Sequence, residues 1–185
     1  MFNRIRNLFR GSADSQRLES APDQQPAFSA TLEPLFADAQ VSLRKGHPAG
    51  DKRVLELEAS LGVTLPNSLH EIISNCGWLE GQGSWVLRGI HPNQDSKFDI
   101  RAALIENQTL LETCSRGKLI PLMYYGFGHE ACLLYQGDQS AASAPVVLWP
   151  PHSAQSERDL GQTDILSASF DFWLADLCRG VAGPW

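Results

Sequence analysis

His70-Glu71 and His129-Glu130 are the two places where this chain comes nearest to a catalytic motif. Each begins like H-E-x-x-H, in which two imidazoles one helical turn apart hold zinc and the glutamate serves as general base. The second imidazole is missing in both, because position 74 is Ser74 and position 133 is Leu133. The other histidines, His47, His91 and His152, each neighbour a proline or glycine, and no two of the five stand at close metal-ligand spacing. The stretch "GFGHE", Gly126 to Glu130, has glycines but neither the lysine nor the Ser/Thr of a phosphate-binding loop. A hairpin turn accounts for it better. No G-x-S-x-G elbow is present for a serine hydrolase. Cys114 precedes Ser115 and Arg116, and a neighbouring cation lowers a thiol pKa. Nothing else marks Cys114 as a nucleophile, and a core cysteine at a helix end is the simpler reading. Glu56 and Glu58 are two apart on an expected helix and point in different directions. The expectation is a protein that is not an enzyme, with no catalytic residues, no metal and no cofactor.

The remaining candidates are binding residues. Trp78 follows a helix stop and stands near Glu80 in a glycine-rich stretch. An aromatic beside a carboxylate on a loop suits an interface anchor. Packing over the end of the helix explains Trp78 equally well.

Composition sets the frame for these residues. Hydrophobic residues make up 43% of the 185, enough for a core without disulfides or metal. Net charge is −6, unevenly spread: residues 1–20 are +2, and the rest is −8 (11 Lys/Arg against 19 Asp/Glu). An acidic body disfavours direct nucleic-acid binding, where phosphate contacts dominate. It favours a basic protein partner, since opposite fields steer association. Cys76, Cys114, Cys132 and Cys178 form no C-x-x-C pair and read as reduced core thiols of a cytoplasmic protein. No run of about 18 apolar residues is present to span a membrane. The basic start, "MFNRIRNLFR", lacks the apolar stretch of a secretory signal.

That start places Phe2, Ile5, Leu8 and Phe9 at helical spacing with arginines between them. It fits a weak membrane-surface or partner-docking helix. Ten residues are marginal as an isolated helix, so a frayed terminus fits as well. Gly11 to Pro26 is rich in Ser, Gln, Ala and Pro, the composition of a flexible linker.

A helix is expected from Ser29 through Leu43, with Leu32, Leu35, Phe36, Ala39 and Leu43 as its apolar face. A second starts near Asp51, burying Val54, Leu57 and Leu61 and turning Lys52, Arg53, Glu56 and Glu58 to water. Gly62 should end it in a left-handed conformation. Pro66 holds the preceding link extended and starts a third helix. Its apolar face is Leu69, Ile72, Ile73 and Cys76, and Gly77 stops it. Then come a loop (78–84), a strand (85–90) and a helix reaching Cys114. A strand ending at Gly126 follows, then a turn, a returning strand in "ACLLYQG" and a strand in "PVVLW". A polar loop and a closing helix, "SASFDFWLADLC", complete the chain, with Ser167 or Ser169 as cap. Short turns between strands imply an α+β fold: one domain with a mainly antiparallel sheet flanked by helices.

The stretch "VLELEASLGVTLPNSLHEIISNCGW" resembles the signature of the SUKH superfamily, the fold shared with the yeast Smi/Knr cell-wall assembly regulators. Glu58, Leu61, Gly62, Leu65, Pro66, Leu69, Ile72, Asn75 and Gly77 match in order. "WVLRGI", "LIPLMYYGFGHEACLLYQ", "PVVLW" and "SASFDFWLADL" resemble the downstream blocks. Acidic positions of the family's central turn appear here as Phe127, His129 and Glu130, and the usual aromatic of the helix after the proline is Leu69. The division expected is a basic segment and linker at 1–28, a SUKH-like domain at 29–180 (the signature-matching part about 50–177) and a tail at 181–185. The resemblance implies a binding module. Bacterial members are mostly immunity proteins that occlude toxin domains delivered between competing cells. The partner expected is therefore a cognate toxin domain, with a basic nuclease as one candidate. A regulatory or scaffolding protein of the cell envelope is the alternative. The contact residues proposed are Trp78, Glu80, Phe127, His129 and Glu130.

Overall fold

A computed structural model describes residues 29, 32–81, 85–111, 114, 117–126, 128–137, 141–150 and 164–181. The basic segment, the linker, Phe127, most of the polar loop before residue 164 and nearly all of the tail lie outside the described residues.

The helices α1 (Leu32–Ala37), α2 (Asp51–Leu61), α3 (Asn67–Cys76), α4 (Ile100–Glu106), α5 (Gln108–Leu111) and α6 (Phe170–Cys178) accompany two antiparallel sheets. The first sheet has the order β1 (Leu43–Lys45), β2 (Leu79–Gly81), β3 (Trp85–Leu87). The second has the order β4 (Lys118–Gly126), β5 (His129–Tyr135), β6 (Val146–Trp149), β7 (Ile165–Ser167). The fold is α+β, as expected, with two sheets where one was predicted. The Arg88 amide donates to the Leu122 carbonyl at 2.8 Å and stitches the first sheet to the second.

Both faces of the second sheet are covered. Along β5, Ala131, Leu133 and Tyr135 join the main core, while Cys132 and Leu134 join a smaller cluster on the opposite face. This is the two-residue period of a strand buried on both sides. Trp149, Leu119, Val147 and Leu111 complete the smaller cluster. On α3, Leu69, Ile72, Ile73 and Cys76 have no exposed surface. Each such large side chain contributes about 1.5–3 kcal/mol on burial.

The structure corrects the sequence reading at five points. The first helix stops at Ala37, and Leu43 belongs to a strand. Beyond Ala37 the backbone is drawn to other partners: the Gln40 amide donates to the Cys178 carbonyl at 2.8 Å, and β1 pairs with β2. Tertiary hydrogen bonds override a weak helical preference. Glu58 is not turned to water but is 9% exposed. The stretch expected as a loop after Gly77 contains β2, and the strand after it ends at Leu87. The helix expected to reach Cys114 is broken at Asn107, whose side chain donates to the Ala103 carbonyl at 3.0 Å. Finally, β7 adds an edge strand that the sequence reading did not contain.

Candidate functional site

The signature link between α2 and α3 is built from hydrogen bonds that its residues supply. Gly62 adopts φ 63°, ψ 34°, a left-handed turn that only glycine enters without cost. Its amide donates to the Ala59 carbonyl, and the Val63 amide donates to the Glu58 carbonyl, both at 3.3 Å. The Glu58 carboxylate accepts the Leu65 amide at 2.8 Å. The Tyr135 hydroxyl donates to the Thr64 carbonyl at 2.8 Å, and the Lys118 ammonium donates to the Leu61 carbonyl. Burial, reinforced by the Glu58 charge, pushes the Tyr135 phenol well above its ordinary pKa and keeps it a donor. The link is framework: a short loop whose amides and carbonyls are tied to α2, Glu58, Lys118 and Tyr135.

His70 lies beside this framework, 3.4 Å from Glu58 and 3.7 Å from Asp51. Ser74 donates its hydroxyl to Asp51 rather than to the imidazole. The arrangement therefore lacks the serine-to-base bond that activates a nucleophile. Cys76 and Cys178 are pushed up to about 11 by burial, and burial, with the nearby Glu130, also raises Cys132 well above its ordinary value. Such thiols remain protonated and behave as core groups. Among the described residues, no three His, Cys, Asp or Glu side chains gather in a way that would hold a metal ion.

The predicted contact residues fall into two neighbouring regions. Trp78 is only 6% exposed. Its ring stacks on Phe98, with centroids 4.3 Å apart and planes 18° from parallel. Phe98 in turn stacks on His91 at 5.8 Å. The Arg44 guanidinium lies 5.5 Å from the Trp78 ring centre, and the Lys97 ammonium lies 5.2 Å from that of Phe98. Trp78 is therefore the base of a surface rather than a projecting anchor. Gly46 makes this packing available: its amide donates to the Trp78 carbonyl, and a β-carbon there would overlap the indole. The Trp78 indole nitrogen is buried without a hydrogen-bond partner.

Above this base, Arg44 and Glu80 face each other across β1 and β2 and pair at 3.2 Å. The arginine side chain is 72% exposed and the glutamate 22%. Beside them runs the loop 91–98, closed by Asp99. The fully buried Asp99 carboxylate accepts the His91 amide at 2.9 Å and, from Arg101, the backbone amide and two guanidinium donors. It also caps α4.

The second region is the β4–β5 hairpin. Glu130 is 3% exposed and grips Arg88 with both oxygens. Asn107 donates to the same carboxylate at 3.4 Å. His129, half-buried, donates from Nδ1 to the Pro150 carbonyl at 2.6 Å. Tyr124 is half-exposed, and its hydroxyl accepts the Gly128 amide at 3.3 Å. Phe127 itself is outside the described residues. Arg88 joins the two regions, since its Nε also donates to the Lys97 carbonyl at 3.1 Å.

Sequence reasoning missed Phe98, His91, Arg44 and Arg88. Phe98 carried a local signal, an apolar residue directly before the cap Asp99. The other three gain their roles only through contacts across the fold.

The family model described as the SMI1 / KNR4 family (SUKH-1) matches residues 48–176. The chain belongs to this family. No curated protein matches it. The SUKH-1 match runs from the start of α2 into α6 and contains Trp78, Glu80, Phe127, His129 and Glu130. Arg44 and all of β1 lie before it. β1, outside the matched residues, brings Arg44 onto Glu80. No helix among the described residues is long and apolar enough to cross a membrane.

Proposed function

We propose that this SUKH-1 protein is a cytoplasmic immunity protein that binds a cognate toxin domain one-to-one and neutralises it by occlusion. The observation that carries the reading is the braced surface over Trp78. Its aromatic base, the paired Arg44 and Glu80 and the Asp99-closed loop are held in place by the fold. A surface set before binding loses less entropy on association, which favours tight complexes. Neutralising a toxin demands this, because each escaping molecule turns over many times. Nanomolar affinity or better corresponds to about −12 kcal/mol or more. The net charge of −6 supports a basic partner by accelerating encounter.

In this reading Glu80, Phe127 and His129 touch the toxin directly. Trp78 and Glu130 act from beneath, by holding the two contact regions in position. The test is affinity capture of the tagged full chain from densely grown native cells, with bound proteins quantified. One stoichiometric partner carrying a toxic terminal domain is the expected result. Several substoichiometric partners from the envelope-building machinery would replace this reading with that of a regulatory scaffold.

A further inference from the structure

The helices α1, α3 and α6 form one face of the molecule. α6 packs against both of the others. Ser68 at the start of α3 donates to Asp171 at the start of α6, and Gln40 donates to Cys178 at its end. These helices with their flanking residues carry five carboxylates, Glu33, Asp38, Glu71, Asp171 and Asp176, against two cations: Arg179, which pairs with Asp176, and Lys45, whose ammonium lies 5.8 Å from the ring centre of Phe36 on α1. Amid this charge Phe172 stands 71% exposed, the most exposed of the large apolar side chains among the described residues. The adjoining strand β7 leaves Ile165 47% exposed. An aromatic ring held in water within an acidic field calls for a partner that is both apolar and cationic.

Such a segment exists in the same chain. Residues 1–10 carry Phe2, Ile5, Leu8 and Phe9 with Arg4, Arg6 and Arg10 and no acidic residue. The chain joins the described domain at Ser29, on this same face, where the Ser29 amide donates to Glu71. Between Arg10 and Ser29 lie 18 residues. A coil of that length and composition has a root-mean-square span of about 20–25 Å. Ser29 bonds Glu71 on α3, and Ser68, three residues earlier on α3, bonds Asp171 at the start of α6, so α6 lies within that span.

We propose that residues 1–10 dock in cis on the acidic face of α1, α3 and α6, with their apolar side chains over Phe172 and their arginines among the carboxylates. The same segment of a second copy is the less suitable occupant, since it lacks the tether that raises the effective concentration. Tethering supplies an effective concentration in the millimolar range. An intrinsic affinity of about 0.1 mM therefore keeps about nine-tenths of the molecules docked.

The test attaches a nitroxide to the α-amino group of Met1 in the ¹⁵N-labelled full chain. Near pH 6.5 this amine is far more reactive than lysine, because its pKa is lower by more than two units. The expected result is paramagnetic broadening concentrated on the amides of β7 and α6. It should be lost in Phe172→Ser, a surface change that leaves the core intact, and in the triple variant Arg4→Glu, Arg6→Glu, Arg10→Glu. Broadening spread evenly over the surface, centred elsewhere, or unchanged in both variants overturns the proposal. So does equal broadening in a mixture of nitroxide-labelled ¹⁴N chain with unlabelled ¹⁵N chain, which would mean that a second copy is the occupant.

Discussion

Arg88 and Glu130 are 42 residues apart in sequence and face each other as a buried, two-pronged ion pair, with the Arg88 Nη2 to Glu130 Oε1 bond at 3.2 Å. Both side chains are less than a tenth exposed. The pair joins the end of the first sheet to the second strand of the second sheet. Through the Arg88 Nε it also holds the loop that carries Phe98. One contact thus fixes the relative position of both candidate binding regions.

Removing either partner of this pair leaves a buried charge without compensation. Glu130→Leu or Arg88→Met is expected to lower stability by about 3–5 kcal/mol. The double replacement is expected to cost clearly less than the two single costs added. Urea unfolding of the three variants measures this as a double-mutant cycle. Additive losses would mean that the two residues do not act as a unit.

Trp78 and Gly46 are expected to behave as one packing unit. Trp78→Ala should cost about 3–5 kcal/mol, because it removes a buried indole from beneath Arg44 and from the face of Phe98. Gly46→Ala should cost about 1–3 kcal/mol, because its methyl would intrude on that indole. Thermal unfolding reads both. A freely tolerated Gly46→Ala would show that the indole moves aside without penalty.

Glu58 is expected to matter through its acceptor rather than its charge. Glu58→Ala leaves the Leu65 amide without its carboxylate partner and should cost about 1–3 kcal/mol. Glu58→Gln keeps a carbonyl oxygen at the same reach and should recover most of that loss. Denaturant midpoints of the two variants give the comparison. Equal losses would shift the importance to the charge and to His70, which lies 3.4 Å away.

The cysteines make a prediction about pH. Cys76 and Cys178 hold their protons up to about pH 11 in the folded chain because burial disfavours the thiolate, against 9.0 for an ordinary thiol. Folding therefore favours the protonated form. The stability this gives is complete below pH 9 and is lost as pH rises towards 11. Unfolding midpoints should fall between those pH values, and less steeply in Cys76→Ala. At pH 8 a thiol reagent should modify Cys114 quickly, while Cys76, Cys132 and Cys178 should react only as the chain opens, because they are buried.

The sequence disclosed what rests on local physics. Gly62 and the apolar face of α3 follow from helix stops and helical period and stand where their residue types place them, while Pro66, expected in the first turn, sits extended at the N-cap just before Asn67. Ser169 caps α6, its side chain accepting the Phe172 amide. The strands β1 and β7 were invisible because three residues carry no readable period. Their strand character comes from pairing with β2 and β6. Glu58 was assigned to the water-facing side because the amide that needs it lies seven residues on, past the end of the helix. The sequence leaves Trp78 open between interface anchor and packing, because Arg44 and Phe98 reach it from 34 residues before and 20 after. Contacts of that separation leave no pattern in one sequence.

The central claim is a stoichiometric protein complex, and titration tests it most directly. The terminal domain of the captured partner would be titrated with the full chain, following heat of binding and toxic activity together. The account predicts one-to-one binding at nanomolar affinity or tighter, with activity lost at one equivalent and recovered when Glu80→Lys and His129→Ala are combined. Activity that persists at saturating excess of the chain, or no binding at micromolar concentration, would contradict it.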